Sequence, residues 1–162
     1  MDLVEFTKKA NQLKKENKKF IQKLKSANQR KLDDVFHHLH DEVFEKTDCL
    51  TCANCCKTTS PIFKQKDIEL LSKKLRCSPS KFISDFLKID DENDYVLKTS
   101  PCPFLDDDNR CNVYDYRPTA CREYPHTNRK KVIQLLDITY ENTLVCPAVF
   151  GIVERLKKTP NI

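Results

Sequence analysis

Four cysteines fall within eight residues of this chain, at Cys49, Cys52, Cys55 and Cys56. A C-x-x-C-x-x-C spacing brings three thiols around one tight loop, and such thiols are typical ligands of zinc and of iron–sulfur clusters. Cys55 and Cys56 are neighbours, and two adjacent residues cannot easily bind one small ion without backbone strain. We therefore expect Cys55 and Cys56 to serve two different metal centres.

The chain contains nine cysteines, and eight of them could form two complete sets of four ligands. The predicted metal ligands are Cys49, Cys52, Cys55, Cys56, Cys102, Cys111, Cys121 and Cys146. Spacing does not decide which of them share a site. The ninth, Cys77, is far from the others in sequence and directly precedes a predicted helix cap, so we interpret it as a small core residue.

Two alternatives remain open for the metal, because zinc and iron–sulfur clusters both accept four thiolates. A distant Cys-Pro pair accompanies the cysteine run of many ferredoxins, and this chain has two, Cys102-Pro103 and Cys146-Pro147. The C-x-x-C unit is equally typical of structural zinc sites. The single glycine argues against close packing of backbone around inorganic sulfide. We expect zinc or iron, in two centres.

The composition favours a small helical protein that metal bonds help to stabilise. With 162 residues, 39% of them hydrophobic, 33% charged and none tryptophan, the chain can build only a lean core. The net charge of +5 resides in lysine-rich helical faces rather than in one arginine-rich patch, so we expect no nucleic-acid partner.

The first residues carry charges and no apolar block, so they do not resemble a signal peptide. No segment is long and apolar enough to suggest a membrane span. We therefore expect a cytoplasmic protein with no membrane partner. In that compartment thiols stay reduced, which favours metal ligands over disulfides.

Apolar residues in the first 46 positions recur every three or four residues, which predicts helices. One stripe runs from Leu3 to Leu24, and a second, on a shifted face, runs from Leu32 to Phe44. The segment is either one bent helix or a helical hairpin broken near Ser26-Ala27-Asn28. We expect the first stripe to cover the protein's own core, although its heptad-like spacing also permits self-association or a protein partner.

Three histidines, His37, His38 and His40, lie on the second predicted helix and are possible metal ligands. Eight thiols make them unnecessary, so we interpret them as surface or structural residues.

Further helices are predicted at residues 66–75, after the Ser78-Pro79 cap, and at 148–157. Residues 95–97 should form a short strand, residues 131–139 a strand or short helix, and Cys102 and Cys111 should flank a hairpin. The predicted fold class is mainly α with a short β-hairpin: a small irregular cysteine-rich metal-binding domain preceded by a long N-terminal helix or helical hairpin. The predicted domains are residues 1–46 and 47–162, in one compact unit overall.

Together these motifs resemble the YkgJ-type CxxCxxCC cysteine-cluster family of zinc- or iron-chelating domains. The resemblance covers residues 46–150 and rests on the cysteine run, Cys102-Pro103-Phe104-Leu105, the segment from Cys111 to Pro125, and Cys146. It implies a small cytosolic domain whose eight cysteines chelate zinc or iron. One branch is similar to flagellin lysine-N-methylase, so the alternative is a cluster-dependent modifying or redox enzyme, such as one that methylates protein lysines.

Arg117, Arg122 and Tyr114 also match the family's motif. The resemblance makes them candidate cofactor-binding residues, because cations beside a thiolate cluster offset its charge, tune a redox potential or recruit an anionic substrate. The alternative is structural, with the guanidinium groups forming salt bridges or capping carbonyls of the Arg-Pro turn.

Overall fold

A computed structural model describes residues 2–160, which are mainly helical. The helices are α1 (Leu3–Leu24), α2 (Gln29–Phe44), α3 (Cys49–Cys52), α4 (Asn54–Thr58), α5 (Gln65–Lys74), α6 (Pro79–Phe86), α7 (Thr119–Glu123), α8 (Leu136–Asn142) and α9 (Pro147–Leu156). Two 3₁₀ turns, Tyr114–Tyr116 and Val132–Leu135, precede α7 and α8. Strands β1 (Leu87–Ile89) and β2 (Tyr95–Leu97) form an antiparallel hairpin in which Leu87 is opposite Leu97. The predicted fold class is confirmed.

The chain divides into two compact units. The first unit comprises the chain up to Asp48 and from Pro125 onward, and the second comprises Cys49–Tyr124. The predicted domains, residues 1–46 and 47–162, stay a prediction. None of the helices between residues 2 and 160 combines the length and the apolar character that a membrane crossing requires.

In the first unit, the N-terminal segment forms two separate helices rather than one bent helix. The chain turns after Leu24, and Asn28 caps α2 by accepting a hydrogen bond from the Lys31 N–H at 3.1 Å. The predicted stripe of α1 faces the unit's own core, since Phe6, Ala10 and Leu24 are each at most 4% exposed. Its interpretation as a core-facing stripe is confirmed.

The main core of the first unit collects side chains from α1, α2, α8 and α9. Its buried members are Ile21, Leu24, Leu32, Phe36, Leu39, Val43, Val132, Leu136, Tyr140, Ala148, Ile152, Val153 and Leu156. Residues 131–139, predicted as strand or short helix, form a 3₁₀ turn and the first part of α8. This unit therefore has an apolar core of the ordinary helical kind.

In the second unit, the apolar core is smaller and rich in phenylalanine. The Phe82 ring lies 6.1 Å from the Phe63 ring, 5.2 Å from that of Phe86 and 6.3 Å from that of Phe104, measured between centroids. As predicted, Ser78 caps α6 and Pro79 is its first residue. Such aromatic clusters bury much area with few residues, which suits a unit of short elements.

The predicted hairpin between Cys102 and Cys111 is reduced to one isolated β-bridge between Leu105 and Cys111. A tight turn closes it, in which the Asp106 N–H donates to the Arg110 carbonyl at 2.8 Å. The regular hairpin of the unit lies earlier, because Leu87–Ile89, for which the sequence predicted no strand, pairs with the predicted strand Tyr95–Leu97.

Candidate metal centre

The cysteine run folds into two short helices, α3 and α4, separated by Ala53. Ala53 adopts a left-handed conformation (φ 46°) and is 6% exposed, and its N–H donates to the Cys49 carbonyl at 2.8 Å. Such a conformation costs a residue other than glycine about 1–2 kcal/mol, so contacts with the rest of the unit must define this turn. The turn leaves Cys55 and Cys56 side by side on α4.

Three hydrogen bonds attach residues 100–112 to the cysteine run. The Cys102 N–H donates to the Cys56 carbonyl at 2.9 Å, and the Ser100 hydroxyl donates to the Lys57 carbonyl at 2.8 Å. At the other end, the Asn109 amide donates to the Leu50 carbonyl at 2.7 Å. These contacts bring the segment that carries Cys102 and Cys111 against the helix that carries Cys56.

Cys56 has a lowered pKa. A hydrogen bond with Cys55, whose sulfur is 4.0 Å from that of Cys56, lowers the pKa of Cys56 to about 7. Burial opposes this change, and the positive charges of Arg117 and Lys57 support it. The sequence predicted that Cys55 and Cys56 would serve two different centres, and the structure holds their sulfurs close together.

The negative charge of the Cys56 thiolate contributes to a raised pKa at three further thiols. Burial raises the pKa of Cys102 and of Cys111, and the neighbouring Cys56 thiolate raises both further. Burial also raises the pKa of Cys121 to about 12, with added repulsion from Cys56, Cys102 and Cys111. Because salt screens Coulomb interactions beyond about 10 Å, these charge effects put the four thiols in the same neighbourhood of the second unit but not at ligand distance from one another.

The other cysteines differ in exposure and setting. Cys49 is exposed and Cys52 is half-buried, both on α3. Cys146 belongs to the first unit, where it is the N-cap residue of α9 and packs against the main core. Cys77 packs against the apolar cluster of the second unit, which confirms its interpretation as a core residue. That all eight remaining cysteines bind metal stays a prediction.

The donor set suits a thiophilic metal, since soft thiolates select zinc and iron–sulfur clusters. Four sulfurs arranged tetrahedrally at about 2.3 Å from a zinc ion lie about 3.8 Å apart. The Cys55 and Cys56 sulfurs are 4.0 Å apart, so two centres that use one each would be neighbours. Within residues 2–160, no three Cys, His, Asp or Glu side chains are already arranged to hold a metal ion. The chemistry therefore fits, and binding requires the thiols to converge further.

The two arginines of the motif occupy different settings. The Arg117 guanidinium lies 3.4 Å from the centre of the Tyr114 ring, and its Nε donates to the Tyr114 carbonyl at 2.7 Å. Its charge helps to lower the pKa of Cys56 and offsets part of the rise in the pKa of Cys111 and Cys121 that burial causes. Arg122 instead donates to the Arg117 carbonyl and, at 3.0 Å, to the Thr119 hydroxyl. Arg117 thus lies beside the thiols, whereas Arg122 caps the backbone of the Arg-Pro turn.

Sequence reasoning missed a buried carboxylate, Asp67, that supports this region. Asp67 is 4% exposed and accepts hydrogen bonds from the Thr119 N–H at 3.0 Å, the Thr119 hydroxyl at 3.1 Å and the Lys64 N–H at 3.1 Å. Thr119 begins α7, the helix of Cys121. The only signal in the sequence was an acidic residue in the first turn of a predicted helix, which ordinarily indicates a cap.

The three histidines have structural roles within the first unit. The His37 ring nitrogen Nε2 lies 3.0 Å from the Arg129 carbonyl oxygen, and His38 pairs with Glu42 at 3.3 Å. His40 stacks on the Phe44 ring and lies 2.8 Å from the Thr127 hydroxyl, and burial lowers its pKa. Their interpretation as surface or structural residues is confirmed.

Comparison with curated proteins gave no significant match, and neither did comparison with solved structures. A family model, described as "CxxCxxCC: Putative zinc- or iron-chelating domain", matches residues 48–145. The match covers more than half of the chain and includes the thiol-bearing second unit. The chain belongs to this CxxCxxCC family of zinc- or iron-chelating domains.

Proposed function

We propose that the protein chelates zinc or iron in two thiolate centres. The principal centre uses Cys56, Cys102, Cys111 and Cys121, and the second draws on Cys49, Cys52 and Cys55. The observation that carries the proposal is that the Cys56 thiolate acts on the pKa of three thiols distant in sequence. Four thiols concentrated in this way satisfy the ligand count of zinc and of iron–sulfur clusters.

Two positively charged side chains support the assignment of Cys56 as a metal ligand, because they favour its thiolate form. Arg117 and Lys57 both favour the thiolate form of Cys56, and the Lys57 ammonium also donates to the Cys52 carbonyl at 3.4 Å. A divalent ion bound by four thiolates keeps a net charge of −2, which nearby cations offset. Arg117 therefore contributes to the centre through its charge, and Tyr114 contributes by holding the guanidinium in place.

The role that these contacts support best is structural. The second unit consists of short helices and one short hairpin around a small apolar cluster. Metal ligands from α4, the 102–111 segment and α7 would link elements that otherwise share few buried side chains. In such units the free energy of metal binding contributes directly to folding.

The test is metal analysis of protein purified without oxygen. We expect about two equivalents of zinc per chain, or iron with acid-labile sulfide and visible absorbance, as two four-thiolate centres require. Sulfide and colour distinguish the two metals. Less than one equivalent of any metal, with all thiols still titratable, would contradict the proposal.

Single serine variants test the assignment of ligands. Cys121→Ser should lose the principal centre, whereas Cys77→Ser, which alters another half-buried cysteine of the same unit, should retain full metal content. Cys56→Ser and Cys55→Ser should empty different centres, and loss of the same centre by both would refute the proposed division. Metal content of the Cys146→Ser variant tests whether Cys146 is the fourth ligand of the second centre.

A further inference from the structure

One helix carries the net charge of the whole chain. Seven lysines and two glutamates give α1 a net charge of +5, which equals that of the full sequence. The other residues carry 22 basic and 22 acidic side chains and are neutral on balance. A charge excess concentrated on one element creates a local positive potential that an evenly distributed excess would not.

The lysines of α1 include a row on the side opposite its buried stripe. At 100° per residue, Lys8, Lys15, Lys19 and Lys23 all point within about 60° of the direction opposite the buried residues, and all four are exposed. Lys8 and Lys23 are separated by about 22 Å along the helix axis, at 1.5 Å per residue. We call these four residues the lysine row.

The acidic residues of α1 do not neutralise the lysine row. Glu5 pairs with Lys9 at 2.6 Å, and Glu16 pairs with Lys157 at 2.6 Å. Among the residues that the structure describes, no carboxylate forms an ion pair with a member of the lysine row. The row therefore presents four positive charges to an external anion.

The residues on the buried and exposed sides of α1 indicate which class of anion the lysine row would bind. Insertion into a membrane surface needs an exposed apolar face, but Phe6, Ala10, Ile21 and Leu24 are buried by the chain itself. The cores of protein interfaces are enriched in aromatic residues and arginine and depleted in lysine, whereas the exposed side of α1 is mainly lysine, glutamine and asparagine. A line of lysines without aromatic side chains is suited to a phosphate backbone rather than to bases.

We propose that the lysine row binds the phosphate backbone of nucleic acid without reading its sequence. The sequence predicted no such partner because the basic residues looked distributed over several helical faces. In the folded chain, however, α1 carries the charge excess, and four of its seven lysines lie on one exposed side. Binding of nucleic acid by the lysine row does not involve the thiol centres. It can therefore be tested separately from the proposed chelation.

Fluorescence anisotropy with a labelled 24-base-pair duplex of random sequence tests this proposal. The metal-loaded full chain should bind at 50 mM salt, and the logarithm of its affinity should fall with the logarithm of salt concentration with a slope of about −3 to −4. Replacing the lysine row by glutamine should weaken binding about tenfold or more at 50 mM salt, because the phosphate contacts supply nearly all non-specific affinity. Glutamine preserves helix propensity, which circular dichroism would verify.

A charge-matched variant is the control. Replacing the exposed lysines Lys66, Lys73, Lys88 and Lys158 by glutamine gives the same net charge, and binding should stay within about twofold of wild type if the row is the contact. Equal loss in both variants would show that net charge alone matters and would overturn the proposal. Failure of wild type to bind the duplex at 50 mM salt would also overturn it, as would binding only to vesicles containing phosphatidylserine.

Discussion

The two units of this protein achieve stability by different means. The first unit buries aliphatic side chains from long and medium helices, with a main core of thirteen residues. The second buries eight residues in its apolar cluster, and five of them lie outside its longer helices: Phe63, Leu87, Leu97, Phe104 and Val113. Its distinguishing feature is instead a concentration of thiols that repel one another when charged.

This difference indicates which of the two units a bound metal should stabilise. An apolar core as large as that of the first unit stabilises packed helices without further bonds. In the second unit burial raises the pKa of Cys102, Cys111 and Cys121, and metal binding would replace their protons by a cation that attracts every ligand. Metal should therefore stabilise the second unit more than the first.

The largest effect that we expect is the pH dependence of metal affinity. At pH 8 Cys102, Cys111 and Cys121 hold their protons because their pKa values are raised, whereas Cys56, with a pKa of about 7, is mostly ionised. Binding then releases three protons, so affinity should rise about a thousandfold per pH unit, and more steeply below pH 7, where Cys56 is also protonated.

An anaerobic competition titration with a chromophoric zinc chelator measures that dependence. If zinc affinity at pH 8 rises by about four orders of magnitude per pH unit, a fourth proton is released, and Cys56 keeps its proton as in an unfolded chain. No dependence on pH would show that thiols are not the ligands.

The next largest effect separates the two cores. Phe82→Ala and Phe36→Ala each remove a fully buried ring, and each should cost about 3–5 kcal/mol of unfolding free energy. Only Phe82 belongs to the cluster that packs against Cys102 and Cys111, so only its variant should lose bound metal. Urea unfolding with parallel metal analysis measures both. Equal metal loss in the two variants would refute the distinction between the units.

A smaller effect is expected at the carboxylate that fixes α7. Asp67→Asn replaces one acceptor oxygen by a donor amide, so at least one of the bonds from Thr119 and Lys64 is lost, at a cost of about 1–3 kcal/mol. Zinc affinity should fall because α7 carries Cys121. Asp91→Asn, at an exposed position, is the matched control, and isothermal titration should find its affinity unchanged.

The smallest effect concerns the first unit alone. Gly151 lies inside α9, and a Cβ atom added there meets no atom within 4 Å. Gly151→Ala should raise the unfolding free energy of the first unit by about 0.5–1 kcal/mol, because alanine loses less backbone entropy in a helix. Thermal unfolding measures the gain, and a change in metal affinity on this substitution would contradict the separation of the units.

The parts of the fold that depend on neighbouring residues could be predicted from the sequence. The stripe from Leu3 to Leu24 and the Ser78-Pro79 cap follow from side chains within one or two helical turns, whereas the sequence left the break before α2 undecided. Helical periodicity and capping are local properties, so a single sequence contains them.

The parts that depend on distant segments could not be predicted. Leu87–Ile89 is a strand only because Tyr95–Leu97 lies beside it, and α9 shares its core with helices more than a hundred residues earlier. Likewise, cysteine spacing identified thiols as candidates but could not select the group around Cys56. That group is defined by the bond from Cys102 to Cys56 and by charge interactions across the second unit.

Hydrogen exchange with and without metal tests the central claim most directly. Amides of the second unit at Phe63, Phe82 and Leu97, which donate to Tyr95, Ser78 and Ser60, should lose protection when a chelator removes the metal anaerobically. Amides of α2 in the first unit, a helix without cysteine, should keep theirs. Equal loss in both units, or none in either, would contradict the account of a second unit that depends on thiolate-bound metal.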